Sequence, residues 1–141
     1  MSDKEPVLAL REALITQLTG DPALVALMGG TRIYDETPRG LSGVYAAFSE
    51  TRLRDWSTGS DRGHEQDLAI TIWSTEGGVR PALQVAARIE MLLHDAALVL
   101  DGHRLVNLQL TASEVRRDER ANRSRVIMRL RAVTEVVVSD I

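Results

Sequence analysis

Arginines and carboxylates are the side chains of this chain best able to do chemistry, and they are unevenly placed. Its 141 residues include sixteen arginines and a single lysine, Lys4, and seven of the arginines lie between Arg116 and Arg131. A guanidinium presents a planar fork of donors that pairs bidentately with carboxylates or phosphates. The cluster therefore points to recognition of another charged surface, although a GC-rich genome would give the same preference for arginine with no function attached. Asp118 and Glu119 sit among these arginines, with Glu114 and Glu135 close by, and no aromatic residue is interleaved with them as a stacking platform for bases. Mixed charge of this kind suits a complementary protein surface, where it sets register and partner choice. The bland alternative is a solvated face of ion pairs, each contributing well under about 1 kcal/mol. Trp56 lies in a polar, glycine-containing stretch, where it is either an interface anchor or folded back on its own sheet. The candidate protein-interface residues are Asp55, Trp56, Arg62, Arg116, Arg117, Arg120, Arg123, Arg125 and Arg129.

Catalytic chemistry finds no constellation. His64-Glu65 is not followed by a histidine at zincin spacing, and His94 and His103 read as isolated polar residues. There is no nucleophile elbow, phosphate-cradling glycine loop or dinucleotide fingerprint. Asp118 and Glu119 are adjacent on a loop and need not converge on one substrate, as an acid–base pair must. With no cysteine, thiolate metal sites, disulfides and cysteine nucleophiles are excluded. The expectation is a protein that is not an enzyme and that needs no cofactor or metal.

The elements that position the charged cluster are two extended runs, residues 104–115 and 125–138. Val106, Leu108, Leu110 and Ala112 share one parity of the first; Val126, Met128, Leu130, Ala132, Val136 and Val138 share one parity of the second. A period of two marks strands with one buried and one wet face. Residues 116–124, too charged to bury, form a projecting tip. Upstream, Pro6 opens a helix whose stripe is Val7, Leu10, Leu14 and Leu18, ended by Gly20. Asp21-Pro22 starts a short helix that breaks at Gly29-Gly30. Residues 32–34 read as a brief strand and residues 35–43 as a loop. A second hairpin follows, with strands at residues 44–53 and 68–73 and a turn-rich tip at residues 55–63. Residues 79–96 then switch to a helical period through Ala82, Val85, Ala86, Ile89, Leu92, Leu93 and Ala96. Helix, short helix, strand, strand, helix, strand, strand predicts an α+β fold: a four-stranded, mainly antiparallel sheet with helices packed on one face and two long projecting hairpins.

Length predicts one domain over residues 1–141 with a real core. The formal net charge of -3 gives no general pull toward nucleic acid or anionic membrane. The polar start of the chain lacks a signal-peptide hydrophobic region, and no apolar run approaches the roughly 20 residues of a membrane span. A soluble protein made in a cytoplasm, with no membrane partner, is expected.

Taken in order, several stretches resemble a known family: residues 24–34 (LVALMGGTRIY), Arg54-Asp55-Trp56-Ser57-Thr58, the strand ending Trp73-Ser74 followed by Glu76-Gly77-Gly78, His94-Asp95 with Leu98, residues 102–108 (GHRLVNL), and residues 131–135 (RAVTE). The chain is similar to the tail-completion or tail-terminator proteins of long-tailed bacteriophages, in the branch found in prophages and gene transfer agents. The resemblance covers nearly the whole chain, and the ordered set rather than any one motif carries it. It implies helices on a small antiparallel sheet and a homo-oligomeric ring, usually of six subunits. That ring would cap the finished tail tube and present a surface to the head-side connector, with DNA passing through it without sequence-specific binding. The implied location is the head–tail junction of a virion or phage-like particle, assembled in the bacterial cytoplasm. A head-completion or adaptor role in the same particle, and a regulatory domain binding nucleic acid through the arginines, stand as alternatives.

Overall fold

Residues 5–137 are described by the computed structural model. Met1 to Lys4, the polar start of the chain, and Val138, the expected end of its last strand, lie outside them. The elements are α1 (Pro6–Thr19), α2 (Pro22–Met28), β1 (Ile33–Tyr34), β2 (Val44–Asp55), β3 (Gly63–Ser74), α3 (Arg80–Leu93), β4 (Val99–Leu100), β5 (His103–Asp118) and β6 (Arg123–Val136). Among the described residues no helix is long and apolar enough to cross a membrane.

The expected four-stranded, mainly antiparallel sheet of an α+β fold is corrected here. The strands form one six-stranded, mixed, curled sheet in the order β1-β2-β3-β6-β5-β4, and with three helices among the described residues these are mostly β. Two of the strands are only two residues long: β1, the brief strand expected at residues 32–34 but left out of the four, and β4, too short for a period of two to register in a sequence. β1 runs parallel to β2, with Ile33 opposite Ala46, which makes the sheet mixed. The hairpins are corrected too. β6 pairs along almost its whole length with β3, from Ser74 opposite Ser124 to Gly63 opposite Glu135. Each expected hairpin thus has one arm in the centre of the sheet, and the two are welded together rather than projecting.

Local chemistry explains the element ends. Pro6 begins α1 behind Glu5, whose side chain accepts the Leu8 N–H at 2.9 Å. Asp21 caps α2 by accepting the Leu24 N–H at 2.9 Å, and Gly29 ends it in the left-handed region at φ 72°. Leu10, Leu14 and Leu18 of α1 and Val85, Ile89 and Leu93 of α3 are fully buried. They join Leu68, Ile70 and Ile72 of β3 and Val126, Met128 and Leu130 of β6 in one core. The helical stripe and the strand parity meet there, on one face of the sheet.

Bulges at Ser49 in β2 and at Val106 and Thr111 in β5 break the register. Each adds a residue that bends its strand and deepens the twist. They also shift the parity expected for β5. Leu108 is buried, whereas Val106 is half exposed and Ala112 is on the surface.

One polar tie holds α2 to α3. Arg88 donates from Nε and Nη2 to the two carboxylate oxygens of Asp21, at 2.8 and 2.7 Å. This bidentate pair, helped by the Leu24 N–H, lowers the Asp21 pKa to about 2 from its usual 3.8. A depressed folded-state value means that the tie contributes fully above pH 3.8 and is lost as pH falls toward 2. The stability gap between wild type and Asp21→Asn is therefore expected to be constant at neutral pH and to close between those values in chemical denaturation at each pH. Leu14→Ala, which opens a cavity among fully buried side chains, is expected to cost about 2–5 kcal/mol in the same measurement.

Candidate functional site

Strand pairing brings together the charges that the sequence scatters. On the sheet face away from the helices, Glu65 is buried and accepts from Arg131 Nε at 2.6 Å and also from Arg54, which reaches Asp67 at 3.0 Å. Further along, Arg129 meets Glu50 at 2.8 Å and Glu114 at 3.6 Å, and Arg116 reaches Glu114 at 3.1 Å. Arg104 pairs with Glu135. The Arg116 guanidinium, followed by Arg129, holds the Glu114 carboxyl below its ordinary pKa, and Glu50 raises that of Arg129. Arg54, Arg104, Arg116, Arg129 and Arg131 are thus paired with carboxylates of their own sheet, while Arg52, Arg123 and Arg125 have no carboxylate partner among the described residues.

The nine candidate interface residues do not form one patch. Asp55, Trp56 and Arg62 stand at one end of the strands. Asp55 accepts from the Ser57 N–H and hydroxyl at 3.2 and 2.6 Å, which depresses its pKa. The Trp56 ring is 51 % exposed, with the Arg131 guanidinium 5.3 Å from its centroid. The Trp56 N–H donates to the Gly63 carbonyl at 2.8 Å and the Val136 N–H to the Arg62 carbonyl at 2.8 Å, so the loop between is anchored at its base. Gly63 fits closely there: a Cβ would lie 3.0 Å from the Thr134 carbonyl oxygen, tight enough that the neighbouring strand would have to give.

Arg116, Arg117, Arg120 and Arg123 stand at the opposite end. The expected tip of residues 116–124 shrinks to a turn at residues 119–122, because Asp118 pairs with Arg123 and Arg117 with Ser124. Only Arg120 of these is on the turn itself. Arg117 donates to Ser124 Oγ at 3.3 Å and to Asn122 Oδ1 at 3.1 Å, and Asn122 takes the left-handed conformation at φ 50°. Arg125 and Arg129 lie on the strand, inside the charged face.

Trp73 was missing from the sequence-based set. It lies opposite Arg125 across β3 and β6, with the guanidinium of Arg123 at 4.9 Å from its ring and that of Arg125 at 5.2 Å. An aromatic platform for the arginines does exist, already covered by two of them. Only the β3–β6 register, which brings together residues about fifty positions apart, places it there. His94 Nδ1 accepts the Leu110 N–H at 3.0 Å, tying the end of α3 to β5. Among the described residues no group of three or more histidine or acidic side chains converges as a metal site.

Such a molecule carries a largely self-paired face, two differently built ends and no assembled reaction centre among the described residues. Its relatives agree. Residues 12–135 match the family described as tail completion protein gp17. A solved chain from the "Virion of native gene transfer agent (GTA) particle" is 34% identical, with TM-score 0.83, covering 92% of this chain and 96% of that one. A second solved structure, 16% identical with TM-score 0.55 and covering 96% and 98% of the two chains, shares the fold. No curated protein sequence matches significantly. With nearly its whole length matched by the family model, the chain belongs to the tail completion protein family.

Proposed function

We propose that this protein ends the tail tube of a phage-like particle and joins it to the head-side connector, as a closed ring of identical copies, six in the usual arrangement of such proteins. Membership of the tail completion family supports a structural role in a particle, a role that is typically non-enzymatic. The observation that carries the reading is the 34% identical chain, matched over 92% of this one, in the virion of a gene transfer agent. The two ends of the sheet support it. A terminator needs one surface for the last ring of the tube and a different one for the connector. Here the Trp56 loop and the turn at residues 119–122 lie at opposite ends of the strands. Pairing of most arginines within the sheet argues for adhesion between proteins over capture of nucleic-acid phosphates, and leaves DNA free to pass.

Density for this chain in cryo-microscopy of the intact particle is expected at the junction of capsid and tail. Density on the capsid side of the connector would make it a head-completion protein instead. Trp56→Ala is expected to leave the thermal midpoint within about 3 °C of wild type while reducing incorporation into particles. A larger loss of stability with normal incorporation would show that the ring only packs on Arg131. Arg120→Glu, on the exposed turn, is expected to impair docking at the other end without unfolding the chain. A variant that docks normally would remove this turn from the interface.

A further inference from the structure

The sheet has two stretches of edge whose backbone no described strand pairs, at diagonally opposite corners, with Arg11 reaching only the Thr51 hydroxyl at 3.0 Å. β1 protects β2 only at Ala46 and Ala47, so residues 49–55 are open. β4 protects β5 only at His103 and Arg104, while the Asp95 N–H bonds the Leu108 carbonyl and His94 the Leu110 N–H, so residues 112–118 are open. Uncovered edges of this length invite pairing with another strand. Leu53 and Val115 on them are 39 % and 55 % exposed.

We infer that these two edges are partners: residues 49–54 of one copy add antiparallel to residues 112–117 of the next, with Thr51 opposite Val115. This rests on the ring reading above and specifies its contact. Three independent features agree on that register. The first is direction. β2, β3, β6 and β5 alternate, so copies standing the same way up in a ring bring β2 against β5 antiparallel.

The second is parity. Trp56 bonds Gly63 across the hairpin, and ladder bonds alternate along an antiparallel pair. The backbone groups of Thr51 and Leu53 therefore point outward. On the other side, Val137 bonds Gly102. Carried through both bulges, this turns those of Ser113 and Val115 outward. Thr51 with Val115 and Leu53 with Ser113 can then exchange backbone bonds while the charged faces of both copies stay on one side.

The third is charge. The same register sets Glu50 opposite Arg116 and Arg52 opposite Glu114, in the closer, non-hydrogen-bonded positions. Arg52 has no carboxylate partner among the described residues. A slip of two residues would oppose Arg52 to Arg116 and Glu50 to Asp118, which is repulsive.

The stagger fits closure. From Glu50 the register crosses through Ala69 and Arg129 to Ala112 on one level. The next copy's Glu50 meets Arg116, four residues on. One residue of stagger per long strand is the ratio at which barrel strands tilt by about 36°.

Cysteine pairs in the full chain, which has no native cysteine among its described residues, test this directly. Oligomeric state would be read by native mass spectrometry and cross-linking by non-reducing electrophoresis. Opposed Cα atoms in such a pair are about 4.5 Å apart, within disulfide reach. Arg52→Cys with Glu114→Cys is expected to give a ladder of linked copies ending at the closed oligomer, and Arg54→Cys with Glu114→Cys no ladder. Leu53→Pro removes an outward N–H and is tolerated on an edge. It is expected to keep the circular-dichroism spectrum and abolish the oligomer. Arg52→Glu should weaken assembly at least tenfold, and adding Glu114→Arg should restore it. A wild-type oligomer that survives Leu53→Pro and shows no Arg52–Glu114 ladder overturns the edge contact while sparing the ring. A wild-type chain that stays monomeric at every concentration, with no ladder, overturns both.

Discussion

The antiparallel pairing of β3 with β6 is the constraint on which the rest depends. Twelve successive residue pairs, from Gly63–Glu135 to Ser74–Ser124, put these two strands at the centre of the sheet. Each brings one apolar parity to the helix side, so Leu68, Ile70 and Ile72 lie beside Leu130, Met128 and Val126. That surface gives the stripes of α1 and α3 something to cover, and burial of apolar area drives the packing. Without it the two hairpins would be separate and marginal ribbons.

The same pairing builds the charged face, because alternation that sends leucines inward sends arginines and glutamates outward. Glu65, buried between Arg54 and Arg131, has the character of a specificity device. Desolvating such ions costs much of what their attraction returns, but any slip of the strand register would separate them. Arg123 and Arg125 on Trp73 act alike at the other end of the strands. Ion pairs within the sheet thus tie much of this face together.

Assembly then falls to what the core leaves over. The strand ends carry the Trp56 loop and the turn at residues 119–122, while the short guards β1 and β4 leave opposite corners of the sheet open. On the reading proposed above, the end surfaces would stack the protein along an axis, and the side edges would join it to its own copies. A heterologous contact of this second kind closes a ring when its rotation is right. Short edge guards leave room for such a contact without baring a full-length strand.

Much of this was legible from residue order. The stripe of Leu10, Leu14 and Leu18, the cap at Asp21-Pro22, the helical period through Val85 and Ile89, and the alternation from Val126 to Ala132 are local, and the chain folds as they predict. The family, too, showed in the ordered set of short stretches, and the match over residues 12–135 bears it out. What tertiary structure alone decided is which strands lie side by side. The brief strand at residues 32–34 was legible but not its parallel place in the sheet, and the two-residue β4, which carries no period, was missed. Bulges at Val106 and Thr111 shifted a parity that sequence continued unbroken. The Trp73 platform and the pairing of Glu65 with Arg131 depend on residues fifty or more apart meeting in one register, and registers are set by packing, which no local pattern records.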